Sequence, residues 1–318
     1  MYNEPIFLKP VFQERIWGGK NLQTKFNYEI PYEHTGEAWV ISAHENGPSV
    51  IQNGPLKGKT LADAWDNHGD LFNKSEGNNE KYPLLVKILD ANDDLSVQVH
   101  PNDEFAREVE NVPYGKTECW YVISAEEDSK LVLGHHADSR KEFENKIDKA
   151  EWDRLLRRVS VKAGDFVYVP SGTIHAIGKG IVILEIQQSS DITYRVYDYD
   201  RTDSEGNRRE LHLERAKQVA TIPHQNSSYN PSINIIEDLT VKRLVEEKYF
   251  TVEHWELKGA VHLDLEQDFL QVSVIEGSGY IQVGDKVSEL TKGTNFVLPH
   301  GIDHYKLSGD LEIIVSWG

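Results

Sequence analysis

The 318 residues contain one cysteine, Cys119, so no internal disulfide can brace the fold. Long apolar runs are missing too. Nothing approaches the roughly 18 uninterrupted apolar residues that a membrane-spanning helix requires, which predicts a soluble protein with no membrane partner. Positive charge is scarce: 34 Lys and Arg stand against 52 Asp and Glu, and the net charge of −18 repels nucleic acid and anionic surfaces at long range. A small phosphate stays admissible, because a few convergent cations in one pocket outweigh a distant field. The opening Met1-Tyr2-Asn3-Glu4-Pro5 has neither a basic stretch nor an apolar leader, so the expected location is cytoplasmic. What the chain does have is 39% apolar residues over a length suited to two domains.

Many segments are short, rich in Val, Ile, Tyr and Phe, and bounded by Gly, Asp or Pro, as in Lys130 to Leu133, Gly164 to Val169 and Gly180 to Ile186. These read as strands. Helical patterning is confined to Thr60–Phe72, Asn102–Glu110, Ser139–Arg158 and Leu211–Thr221. In the third, Phe143, Ile147, Trp152, Leu155 and Leu156 fall near helical spacing, which predicts one apolar stripe laid on a sheet.

An internal repeat organises the rest. Gly164 is followed by Pro170, Gly172 and His175; Gly293 is followed at the same offsets by Pro299, Gly301 and His304. Each copy reads as a turn glycine, a strand, a Pro-x-Gly turn and a histidine opening the next strand. The pattern Gly-x5-Pro-x-Gly-x2-His resembles the second half of the cupin motif. That resemblance implies a mainly β protein of two cupin-like jelly-roll β-barrels with a small helical insertion. The expected division is residues 1–222 as the catalytic barrel, the polar stretch 223–231 as linker, and 232–318 as a second barrel.

The chemistry concentrates in the first barrel. In Leu95-Ser96-Val97-Gln98-Val99-His100, alternation puts Ser96, Gln98 and His100 on one face of a strand and Leu95, Val97 and Val99 on the other. A buried amide and imidazole without partners would each cost on the order of 1–3 kcal/mol, so this polar face makes sense if Gln98 and His100 point at an ion. With Glu118 at the mouth of another strand and His175 in the repeat, the set offers two imidazole nitrogens and two oxygens. It suits one Zn²⁺ per chain and also fits Mn²⁺, Fe²⁺ or Ni²⁺. No second imidazole accompanies His304, so the second barrel is expected to be metal-free and His304 to serve packing or dimerisation.

Gln98-Val99-His100-Pro101, Lys116-x-Glu118, Pro170-Ser171-Gly172-Thr173-Ile174-His175-Ala176 and Tyr194-Arg195 resemble motifs of the type I phosphomannose isomerases. So do Arg15-Ile16-Trp17-Gly18-Gly19, Gly36-Glu37-Ala38-Trp39 and Pro83 to Leu89. The resemblance implies zinc held by Gln98, His100, Glu118 and His175, and reversible conversion of mannose 6-phosphate to fructose 6-phosphate through a cis-enediol. The family's Asn-His-Lys-Pro-Glu appears here as Tyr114-Gly115-Lys116-Thr117-Glu118, which keeps the Lys and the Glu and changes their surroundings.

Isomerisation needs a base near C1 and C2 and charge stabilisation at the sugar oxygens. Glu185 is the expected base, on a strand lining the same barrel; the alternative is a solvent-facing strand residue. Arg195 is expected to neutralise the enediolate, against an ion pair with Asp191 or Asp198. Lys116 is assigned to ring opening or proton relay, and Lys87 and Ser96 to substrate binding, with exposed lysines as the alternative. The substrate partner is then a small sugar phosphate and the assembly a monomer or homodimer. Two other readings stay open: a cupin metal oxygenase, and a cupin that binds a sugar phosphate without turning it over.

Overall fold

The computed structural model describes residues 2–203 and 205–318. Among the described residues, twenty strands and a few short helices make it mainly β, and no helix is long and apolar enough to cross a membrane. Three helices start at the residues the sequence singles out. Thr60, Asn102 and Ser139 are N-caps whose side-chain oxygens accept the backbone N–H three residues on, from Asp63, Phe105 and Glu142. The third helical stretch is shorter than expected. Its helix is Arg140–Asp148; Ala150 takes a left-handed φ of 52°, one turn follows at Trp152–Leu155, and Leu156–Ser160 is a strand paired with Lys130–His135. Phe143, Ile147, Leu155 and Leu156 nevertheless share one buried cluster, because a short apolar stripe serves a helix or a strand equally.

The first unit packs two sheets face to face. One has the order Phe166–Val169, Glu118–Ala125, Ile181–Gln188, Leu84–Ala91, Thr35–Ile41, Val11–Gly19. The other runs Tyr194–Tyr197, Val97–Val99, His175–Ile177, Lys130–His135, Leu156–Ser160. They form a jelly roll of facing sheets rather than a continuous closed barrel. The second unit is one nine-stranded sheet that includes three 14-residue strands, Thr251–Asp264, Leu270–Val283 and His304–Trp317, folded around its own apolar core. Between the units, 223–231 carries no regular structure.

The N-terminal segment departs from the expected division. Ile6–Lys9 and Val50–Ile51, assigned by sequence to the first domain, extend the sheet of the second, with Ile6 opposite Val297 and Leu8 opposite Ile51. An alternating strand looks the same in sequence whichever sheet it joins.

The repeat is present in the backbone itself. Gly164 and Gly293 have φ of 87° and 91°, and Gly172 and Gly301 have 85° and 87°, a region that L side chains avoid. Four-residue strands, Phe166–Val169 and Asn295–Leu298, lie between, and His175 and His304 each open the next strand. His304 itself is exposed and bonded to Asp264 at 2.6 Å, which corrects its expected place in packing.

Both faces of the six-stranded sheet are covered. Leu84, Val86, Ile88, Val182, Leu184 and Ile186 turn toward the second unit and join Leu244, Val252 and Ile314 in a shared core. The opposite residues turn inward, and along Ile181–Gln188 they run from Ile181 and Ile183 in an apolar plug to Glu185. The jelly roll is therefore apolar at one end and polar at the other.

Candidate active site

Strand register assembles the polar end. Across the five-stranded sheet, Arg195 lies opposite Gln98 and Gln98 opposite His175, so the three share a face. Across the six-stranded sheet, Trp39, Lys87, Glu185 and Trp120 form a second row, each directly opposite the next. Glu118 is two residues before Trp120 on the same strand face. Val97 and Val99 pack outward under the helices, as expected; Leu95, just before the strand, instead joins the inner plug.

His100, Glu118 and His175 converge, each offering one ligand atom, with those three atoms within 4.8 Å of one another. His100 Nδ1 donates to the Ile192 carbonyl at 2.7 Å and His175 Nδ1 to the Thr173 carbonyl at 2.8 Å. Each ring therefore presents an unprotonated Nε2 inward, 3.5 and 3.3 Å from the Glu118 carboxylate. Neither Nε2 has a hydrogen-bond partner, and both are fully buried. Two buried acceptors facing a carboxylate repel it and each other unless a cation lies between them, and the backbone anchors are those that orient metal-ligating imidazoles. Burial, with Lys116 and the neighbouring ring, holds the His100 pKa well below its ordinary value; burial lowers that of His175 as well, opposed by Glu118. Neutral imidazole is the ligand form. The residues thus fit a divalent metal, and Gln98 beside His175 adds an oxygen from the same face.

Beside this cluster, joined to it by Gln98 opposite His175 and by Lys116 against Glu118, lies a cavity of about 710 Å³, lined by Gln98, Ser96, Lys87, Lys116, Glu185 and Arg195 among others. All nine residues singled out in the sequence are thereby brought to one place. Glu185 is 3% exposed, and Lys87 and Lys116 are 5% exposed each, so the solvent-facing alternatives do not hold. Nor does Arg195 pair with an aspartate. Asp198 is taken by Arg201 and Arg209, both at 2.7 Å, and Asp191 bonds Asn46. Arg195 donates to the Glu210 carbonyl at 2.8 Å, and its Nε has no protein partner. Burial, with Arg209 nearby, lowers its pKa from the ordinary value.

The charged groups form an alternating chain, buried beyond the partly exposed Arg15. Arg15 meets Glu37 at 2.9 Å, Glu37 meets Lys87 at 3.9 Å, Lys87 meets Glu185 at 3.6 Å, Glu185 meets Lys116 at 4.0 Å, and Lys116 meets Glu118 at 2.9 Å. The carboxylates do not behave alike along it. Burial raises Glu37, but Lys87 and Arg15 outweigh it and bring the pKa to about 2. Glu118 is lowered, with Lys116 and His175 overcoming burial. Glu185 is raised, by burial and then by Glu118, with the two lysines only partly compensating. Trp120 Nε1 ties the last two, at 3.2 Å to Glu118 and 3.1 Å to Glu185.

Several members were quoted in sequence without a role: Arg15, Glu37 and Trp39. For Glu37 the signal was charge inside a strand that otherwise reads as core; Arg15 lies on a partly exposed strand and Trp39 carries no charge. Arg209, Gln13 and Asn46, also on the cavity wall, lie in segments with no pattern to mark them. The altered surroundings of Lys116 are explained too. A Cβ on Gly115 would lie 2.4 Å from the Pro101 carbonyl oxygen and the Asn102 carbonyl carbon, so only glycine fits. Its N–H bonds Asp103 at 2.9 Å and that of Lys116 the Pro101 carbonyl at 3.0 Å, which ties the Lys116 segment to the turn after His100. Thr117 supplies an N–H to Gln188 at 2.9 Å and a hydroxyl that accepts from Ser171 N–H at 3.2 Å. Gly172 N–H closes the frame on the His100 carbonyl at 2.8 Å.

Residues 6–151 match the family described as phosphomannose isomerase type I, catalytic domain, and 240–317 match the mannose-6-phosphate isomerase cupin domain. The chain is 52% identical over 316 residues to the mannose-6-phosphate isomerase ManA of Bacillus subtilis, covering 99% of each. It is 49% identical over 313 residues to the mannose-6-phosphate isomerase of Streptococcus mutans, covering 98% of each. The crystal structure of a mannose 6-phosphate isomerase from Bacillus subtilis superposes with a TM-score of 0.96 at 47% identity, covering 99% of each chain.

Proposed function

The chain belongs to the type I phosphomannose isomerase family, and from that membership we propose that it is a zinc-dependent enzyme interconverting mannose 6-phosphate and fructose 6-phosphate through a cis-enediol. The observation that carries the metal dependence is the pair of buried, unpartnered imidazole Nε2 atoms facing Glu118. Gln98, His100, Glu118 and His175 would hold the ion, which supplies Lewis-acid stabilisation of negative charge on the sugar oxygens.

The base is Glu185. Its raised pKa brings a carboxylate closer to the value at which it can both take and return a proton near neutrality. As carboxylate it removes the proton from C2; the electron pair forms the C1–C2 double bond and the carbonyl oxygen on C1 accepts a proton. Reprotonation at C1 by the resulting acid, with loss of the proton from the C2 hydroxyl, gives the ketose. Trp120 N–H fixes the Glu185 carboxylate, leaving its other oxygen toward Lys87 and Lys116.

Lys116 lies between Glu118 and Glu185 and can relay the proton between the sugar oxygens or open the ring. Arg195, with a guanidinium only partly engaged by protein, neutralises the enediolate. Ser96 and Lys87 serve substrate binding on the cavity wall. The test is a coupled assay for fructose 6-phosphate from mannose 6-phosphate on metal-stripped protein, with and without added Zn²⁺, beside His175→Ala. Activity that returns with zinc and is absent in the variant is the expected result. A folded, metal-loaded protein without turnover would sink the proposal.

A further inference from the structure

The second unit has a cavity of its own, of about 490 Å³, lined by residues of the strands Leu239–Glu246, Thr251–Asp264 and His304–Trp317. Its wall repeats a constellation of the first cavity. There, Arg15 Nε donates to Glu37 Oε1 at 2.9 Å and the Trp39 indole N–H to Glu37 Oε2 at 2.7 Å. Here, Arg243 Nε donates to Glu253 Oε1 at 3.0 Å and the Trp255 indole N–H to Glu253 Oε2 at 2.8 Å. In both, a Glu-x-Trp pair puts carboxylate and indole on one strand face and the antiparallel neighbour supplies the arginine. The two are not a positional copy. Counted from the strand that carries the repeat, the second constellation sits one strand nearer the sheet centre.

The two cavities differ in charge. The first is lined by five cationic side chains, Arg15, Lys87, Lys116, Arg195 and Arg209, against four carboxylates. The second has one guanidinium, Arg243, against Glu253, Asp264 and Glu266. Among the described residues no His, Cys, Asp or Glu cluster of metal-binding geometry occurs outside the first cavity. The second cavity is therefore unsuited to phosphate and lacks the donor set for isomerisation. It offers three ring systems, Trp255, Tyr305 and Trp317, and a carboxylate whose orientation is fixed at both oxygens while lone pairs remain to accept from hydroxyls.

We propose that this cavity is a binding site for an uncharged pyranose, recognised by Glu253 and the Tyr305 hydroxyl through sugar hydroxyls and by the rings of Trp255, Tyr305 and Trp317 through the sugar's C–H faces. The proposal rests on reading the first cavity as the hexose site, since the shared constellation is what links them. Its size falls in the range of small-ligand sites.

The test is calorimetric and saturation-transfer NMR titration of the metal-loaded full chain with D-mannose, beside mannose 6-phosphate, for wild type, Arg195→Ala, Glu253→Gln and Tyr305→Phe. D-mannose should bind wild type and Arg195→Ala alike, and its Kd should rise about 10-fold or more in Glu253→Gln, for loss of a charge-assisted hydrogen bond. A rise of roughly 3-fold or more is expected in Tyr305→Phe. Mannose 6-phosphate should not displace it from Arg195→Ala. Binding lost in Arg195→Ala and kept in Glu253→Gln would put the sugar in the first cavity and overturn the proposal. So would the absence of D-mannose binding to wild type tighter than about 10 mM. Thermal melting checks the fold of Glu253→Gln, and if that variant is unfolded Tyr305→Phe decides by the same criterion. The isomerase assay stands apart: lack of turnover refutes the reading of the first cavity without altering where D-mannose binds.

Discussion

Lys116→Met cuts the buried ion chain where it meets the candidate metal site. The lysine is 5% exposed and holds Glu118 at 2.9 Å and Glu185 at 4.0 Å, both carboxylates being nearly inaccessible. Methionine fills the volume but leaves three carboxylates, Glu37, Glu185 and Glu118, against two cations, Arg15 and Lys87. Removing one partner of a buried pair costs about 3–5 kcal/mol. At roughly 2–4 °C per kcal/mol for a chain of this class, the metal-free variant should melt about 10 °C below metal-free wild type. A divalent ion beside Glu118 replaces the missing charge, so zinc should recover much of that loss and raise the Tm of the variant by more than it raises that of wild type. The assay is scanning calorimetry of both proteins in chelator and in saturating Zn²⁺. Equal melting of the two in chelator would refute the ion-chain argument. An equal zinc shift in both would refute the electrostatic coupling between Lys116 and the ligand cluster.

Three further outcomes follow from the same chain. Glu185→Gln should lower kcat by about 10²–10⁴-fold with little change in the dissociation constant for mannose 6-phosphate, since the amide keeps the shape and loses the base; a fall of less than 10-fold would remove Glu185 from that role. Trp120→Phe takes an N–H from the Glu185 carboxylate, disfavours its charged form and so moves the acid limb of the kcat profile to higher pH; an unmoved limb would detach that limb from Glu185. Glu37, brought from the ordinary 4.5 to about 2, contributes on the order of 3 kcal/mol of stability. That contribution is complete above the unfolded carboxylate pKa and is lost as pH falls toward 2, so the stability gap between wild type and Glu37→Gln should narrow through that window in acid urea titrations, and parallel curves would be wrong for this account.

The fold was legible because its repeat is written in residues with few physical substitutes. Gly164, Gly172, Gly293 and Gly301 all need positive φ, and Pro170 and Pro299 end the strands between them. The candidate metal site stood out in the sequence for a related reason: Gln98 and His100 put polar groups on an inward strand face where packing alone would call for apolar ones. Where local pattern has two solutions the sequence was ambiguous. Leu156 to Arg158 fit a helix stripe and form a strand, and Ile6 to Lys9 alternate identically for either sheet.

The other half of the site is hidden by the way charges are paid for in pairs. Glu37 would read as a flaw in a core strand if seen alone, since an unpaired buried charge is excluded, and Arg15 as an ordinary half-exposed residue; only the register that sets Glu37 beside Arg15 and within 3.9 Å of Lys87 makes them one unit. That unit has a consequence for Glu185. Lys87 is shared between Glu37 and Glu185, and Lys116 between Glu185 and Glu118, while Arg15 stabilises Glu37 alone. Glu37 and Glu118 therefore end up as the settled carboxylates and Glu185, between two already committed lysines, as the one with a raised pKa. The raised pKa of Glu185 is thus set by partners on both adjacent strands and, through Lys87, by Glu37 two strands away, none of which lies near Glu185 in sequence.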